Sequence, residues 1–81
     1  MTVLLFGITK DIVGSSTLSL PVSSTSRLRT VGELKDYLSS TYPRLRNLSS
    51  LAVAVNNSYA EDSDKIDNFD EIALIPPVSG G

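Results

Sequence analysis

The chain has 81 residues, 41% of them hydrophobic and 20% charged, which is the size and balance of one small globular domain with no room for separate catalytic and substrate-binding halves. It contains no Cys, His or Trp, so Ser-His-Asp and Cys-His catalysis, thiol redox chemistry, disulfides and His/Cys zinc sites are excluded. Seven basic against nine acidic side chains leave a net charge of -2, which argues against nucleic-acid binding driven by phosphate neutralisation.

Met1 to Ile8 is an apolar run rich in branched residues, bounded by Gly7 and by Thr9-Lys10-Asp11, and reads as a first strand. It lacks the basic segment and cleavage site of a signal peptide, and no run in the chain is long enough for a membrane helix, so a cytoplasmic protein is expected. Ser15 to Ser26 carries eight Ser/Thr, as a linker would, but the period-two alternation of Leu18, Leu20 and Val22 favours a second strand over Thr17 to Val22. This strand pairs back on the first, and Pro21 suggests a sheet edge.

Thr30-Val31-Gly32-Glu33 fits a capping box, with Thr30 accepting from the Glu33 backbone and the Glu33 side chain reaching back to Thr30. A helix is predicted from here, with one apolar stripe of Val31, Leu34, Leu38 and Thr41/Tyr42, ending at Pro43. Arg44 to Leu48 adds a short turn, and Leu51 to Val55 is a third strand closed by the turn pair Asn56-Asn57, with Tyr59-Ala60 as its return arm. Between Glu61 and Glu71 the acids lack calcium-loop spacing: counting from Asp62, Asp67 stands where a glycine is needed and Ala73 where a bidentate glutamate is needed. This stretch reads as a solvated acidic loop. Ile72 to Ile75 is the last strand.

Five strands and one crossover helix predict an α+β roll with a mixed sheet and the helix across one face. The first and last strands are apolar on both sides, with Val3, Leu5, Ile72 and Leu74 on one and Leu4, Phe6, Ile8, Ala73 and Ile75 on the other. A single helix cannot cover both sides. The remainder is either hidden by loops or is a contact surface for another protein. Residues 1–75 form the domain, and residues 76–81 form a tail that Pro76-Pro77 directs away from the sheet. Gly80-Gly81 is the slimmest peptide available and fits a narrow channel, although a terminal Gly-Gly taken alone also fits a frayed end.

A strand, strand, helix, strand chain ending in Gly-Gly resembles the β-grasp proteins related to ubiquitin. More closely, Asp70-Glu71-Ile72-Ala73-Leu74-Ile75-Pro76-Pro77-Val78-Ser79-Gly80-Gly81 is similar to the C-terminal signature of the small subunits of molybdopterin synthase, the sulfur carriers of molybdenum cofactor biosynthesis. Val3-Leu4-Leu5-Phe6-Gly7, Val13-Gly14 and Val53-Ala54-Val55-Asn56 also stand where that family has similar segments. One departure is Asn68-Phe69-Asp70 in place of the family's Asp-Gly-Asp turn; Asn68 tolerates a left-handed conformation, so a turn is still expected here.

The resemblance implies that this protein is a reagent and its partners are the catalysts. An ATP-dependent adenylating enzyme activates the Gly81 carboxylate, and a sulfur donor enzyme converts it to a thiocarboxylate. The sulfur then passes to a cyclic pyranopterin monophosphate held by the large subunit of a heterotetrameric synthase, building the dithiolene. Ser79 and Gly80 let the tail thread, and Phe6, Tyr59 and Ile75 form the apolar patch against the large subunit. No cofactor is bound by the carrier itself, ATP being used by the activating enzyme, and no metal, nucleic acid or membrane is involved. The same Gly-Gly chemistry serves sulfur carriers of thiamine synthesis and tRNA thiolation and ubiquitin-like modifiers, and an interaction module with an incidental tail is a further alternative.

Overall fold

Alternation in the first apolar run decides the sheet. In the computed structural model, which describes residues 1–48 and 51–76, Thr2–Leu5 forms β1, with Val3 and Leu5 buried and Leu4 only partly so. The strand is shorter than the sequence suggests, because Gly7 turns the chain at φ 55°, ψ -133°, a conformation nearly reserved for glycine. Ile8–Val13 then forms a short helix, α1, so Ile8 is helical and not part of the first strand. Buried Thr9 ties this corner together: its Oγ1 accepts from the Phe6 N–H at 3.0 Å and donates to the Phe6 carbonyl. Gly14, left-handed at φ 87°, ends α1 by donating its N–H to the Lys10 carbonyl.

Strand β2, Thr17–Ser19, pairs antiparallel with β1 and forms one sheet edge. It also ends early. Pro21, with φ fixed at -66°, precedes the helical turn α2, Val22–Thr25, which leaves Val22 exposed in place of the expected inward position. The buried Thr25 hydroxyl donates to Asn68 Oδ1 at 2.6 Å, joining α2 to the turn before the last strand.

The main helix, α3, spans Val31–Thr41 and starts at the predicted cap, with the Glu33 N–H donating to Thr30 Oγ1 at 3.3 Å. The return contact differs from the expected one, since the Thr30 hydroxyl itself donates to Glu33 Oε1. Val31, Leu34 and Leu38 are buried on the sheet, Tyr42 packs at the margin, and Thr41 is exposed. The acidic segment has a structural task that its composition hides. The carbonyls of Asp62 and Asp64 accept from the N–H groups of Gly32 and Val31, each at 2.9 Å, satisfying donors that a helix start leaves free. Gly32 permits this approach, as a Cβ there would stand 3.2 Å from the Asp62 carbonyl oxygen.

After a 3-10 turn over Pro43–Asn47, which buries Leu45, β3 (Ala52–Val55) and β4 (Ser58–Ala60) form a hairpin. Its turn residues Asn56 and Asn57 both have positive φ, 51° and 71°, which matches the twist of the strands they join. Strand β5, Glu71–Ile75, runs parallel to β1 and antiparallel to β3, giving the sheet order β2-β1-β5-β3-β4. The architecture is the expected α+β roll, a β-grasp sheet with one main helix. Its core joins Val3, Leu5, Val53, Ile72 and Leu74 of the sheet to Val31, Leu34 and Leu38 of α3.

Candidate functional site: the open sheet face and the root of the tail

The face of the sheet turned away from α3 follows from strand register. Leu4 pairs with Thr17 and Ala73, Ala73 with Ala54, and Ala54 with Tyr59, so one row crosses all five strands. Paired residues share a face, so this row presents leucine, two alanines and tyrosine together. Beyond the β1–β5 ladder, Phe6 and Ile75 extend the apolar surface toward the end at which β5 stops. These side chains surround a shallow depression of about 300 Å³ lined by Leu4, Phe6, Ala54, Asn57, Tyr59, Glu71, Ala73 and Ile75. Phe6 is 50% exposed and Tyr59 75% exposed, an unusual outlay of aromatic surface for a chain with only five aromatic residues.

The structure therefore brings the sequence-predicted Phe6, just past β1, Tyr59, in the middle of β4, and Ile75, at the end of β5, to one depression. Leu4 and Ala73, expected on the same apolar side as Phe6 and Ile75, line it as well, and so does Ala54 of β3, which the apolar phases of β1 and β5 could not indicate. Thr9 is a further omission. By holding both backbone polar groups of Phe6, it fixes the corner from which the ring projects.

At the end of β5, Pro76 packs on Gly7. A Cβ at Gly7 would lie 3.0 Å from Pro76 Cγ, and the positive φ of Gly7 independently excludes most side chains. Glycine is thus needed twice, once for the turn out of β1 and once for the close approach of the tail root. Ser79, Gly80 and Gly81 lie outside the described residues.

Chemically, this face can bury apolar surface and orient a strand end; it holds neither imidazole nor thiol. Among the described residues no group of three acidic side chains is placed to hold a metal ion. No described helix is long and apolar enough to cross a membrane.

Comparison with known proteins agrees with this geometry. The profile of the ThiS family matches residues 3–81. The chain is 38% identical over 80 residues to the molybdopterin synthase sulfur carrier subunit of Arabidopsis thaliana, covering 98% of this chain and 80% of the relative. It is 36% identical over 84 residues to the protein of the same name from Dictyostelium discoideum, covering 98% and 93%. Among solved structures it resembles SAMP1 from Haloferax volcanii, with a TM-score of 0.75 and 30% identity over 99% of this chain and 97% of that one. With the β-grasp sheet and full-length matches together, the chain belongs to the ThiS family, among the molybdopterin synthase sulfur carrier subunits.

Proposed function

We propose that this chain is the sulfur carrier subunit of a molybdopterin synthase and that its Gly81 carboxylate is the group that carries the sulfur. An ATP-dependent enzyme adenylates that carboxylate, turning a poor electrophile into a mixed anhydride with AMP as leaving group. A sulfur donor enzyme displaces AMP and leaves a thiocarboxylate, whose sulfur is a far better nucleophile than a carboxylate oxygen. The large subunit then receives the tail and directs the sulfur to the cyclic pyranopterin monophosphate. Proton transfers fall to the partner, since the carrier has no side chain with an ordinary pKa near 7. The carrier binds no cofactor of its own, works in the cytoplasm and joins the large subunit in a heterotetramer.

The observation that carries this reading is the continuity of the open apolar face with the root of the tail. Phe6 and Ile75 sit beside Gly7 and Pro76, so a partner that covers the depression also meets the emerging chain. Ser79 and Gly80 supply slim, compliant backbone for a channel there. The test is the intact mass of the protein after incubation with its activating enzyme, ATP and a sulfur source. Exchange of one oxygen for sulfur at Gly81 is expected, and a protein lacking Gly81 should show none.

A second reading is favoured by the 30% identity to SAMP1 of Haloferax volcanii, a small archaeal modifier protein. On that reading, Gly81 is activated in the same way but is captured by a lysine of another protein. Conjugates found by mass spectrometry, with no thiocarboxylate, would replace the carrier reading. Carriage of sulfur for thiamine synthesis or tRNA thiolation would leave the thiocarboxylate in place and change only its acceptor.

A further inference from the structure

The most exposed apolar side chain described is remote from the tail root. Phe69 is 97% exposed and stands in the turn before β5, which runs from Glu71 to Ile75. Its backbone is held firmly. The Phe69 N–H donates to Asp67 Oδ1 at 3.1 Å, the Asp67 N–H to Asp70 Oδ2 at 2.8 Å, and the Asp70 N–H to the Asp67 carbonyl at 3.0 Å. Neighbouring side chains lock the turn from both sides, Asn68 through Thr25 at 2.6 Å and Asp70 through Asn56 Nδ2 at 3.0 Å. The turn is formed without the left-handed conformation that Asn68 would tolerate, since Asn56 and Asn57 are the positive-φ residues other than glycine among the described residues. A hydrogen-bonded turn therefore displays an aromatic ring that no described residue covers.

Phe69 shares a second depression, of about 440 Å³, with Met1, Thr2, Leu4 and Glu71. Leu4 and Glu71 also line the first depression, so the two form one surface along β5. From Phe69 to Pro76 the chain reaches at most roughly 23 Å, at about 3.3 Å per residue, a span that one protein partner of ordinary interface size covers. Asp70 and Glu71 line the same depression as Phe69, Asp67 accepts from its backbone N–H, and none of the three is in an ion pair among the described residues.

We infer that Phe69 is a second anchor for the subunit that receives the tail, entering an apolar socket whose rim carries Lys or Arg facing Asp67, Asp70 and Glu71. This rests on the carrier reading above. Preorganisation supports it, because a ring whose backbone is already fixed loses little freedom on docking. Aromatic anchors of this kind dominate many interfaces.

The test is calorimetric titration of the full chain into the large subunit of molybdopterin synthase, alongside thiocarboxylate formation by the activating enzyme. Phe69→Ala should weaken association roughly ten- to a hundredfold, and Phe69→Leu should recover most of the loss. Neither should lower the melting temperature or slow thiocarboxylation. Wild-type affinity in Phe69→Ala, with binding lost in Phe6→Lys, would overturn the second anchor and leave the carrier interface standing. Wild-type affinity in both variants would remove the interface and the anchor together. Slowed thiocarboxylation with unchanged association would assign Phe69 to the activating enzyme instead, and a wild-type dimer that dissociates in Phe69→Ala would assign it to a second copy of the chain; either outcome overturns the inference.

Discussion

The two faces of the sheet are built from the same strands, yet they do different work. Val3, Leu5, Ile72 and Leu74 are at most 2% exposed under α3, whereas Phe6, one residue beyond Leu5, is half exposed on the other side. One phase of the alternation stabilises the fold and the other leaves apolar surface without an internal partner. The difference teaches that hydrophobicity in this chain cannot be equated with stability. Substitutions on the two faces should separate folding from association.

The largest functional effect is expected where neither face is touched. Removing Gly81 should abolish sulfur transfer, because the terminal group is the reagent, while the thermal melt stays at the wild-type position; an active truncated protein would end the carrier reading. Gly80→Ala should fold normally and be activated more slowly, as a methyl group enters a channel suited to glycine.

On the covered face, Leu34→Ala or Leu38→Ala should destabilise by roughly 2 to 5 kcal/mol, against a total of about 4 to 12 kcal/mol for a domain of this size. Denaturant midpoints near wild type in both variants would contradict the close packing of α3 on the sheet. On the open face, Phe6→Lys or Ile75→Lys should leave the midpoint nearly unchanged and weaken association with the large subunit by about 2 kcal/mol or more, because a charge would be desolvated at an apolar contact. Loss of folding in these variants would mean that the open face is also core.

The smallest effect concerns neither face directly. Thr30→Ala removes the cap of α3 and should cost about 1 kcal/mol in chemical denaturation. That loss should be present whether or not a partner is bound.

Where local chemistry has one outcome, the sequence was easy to read. Thr30 with Glu33 marked the start of α3, Pro43 its end, and Asn56-Asn57 a hairpin turn. The double apolar phase of β1 and β5 also announced the open face before its register was known. What escaped depended on tertiary contact. The six-residue helix Ile8–Val13 is too short for a helical period to declare itself, and Gly7 gave no hint that Pro76 would lie against it. Likewise, the acidic loop looked merely solvated because its contribution to α3 comes from the carbonyls of Asp62 and Asp64, which side-chain chemistry does not reveal. Asn68 does stand in a turn, but without a left-handed backbone, and the hydrogen bond it accepts from a threonine 43 positions away could not be read from the local sequence.

The placement of β5 has a mechanical consequence. The strand that leads into the tail is interior to the sheet, laddered to β1 on one side and to β3 on the other. Traction on the tail, as when one partner still grips it while another withdraws, runs along β5 and loads both ladders in shear. An edge strand could be peeled away one bond pair at a time, but here many hydrogen bonds must yield together. A pull transmitted through Pro76 is therefore resisted by the two ladders together, and the domain stays closed under a load that would unzip an edge strand.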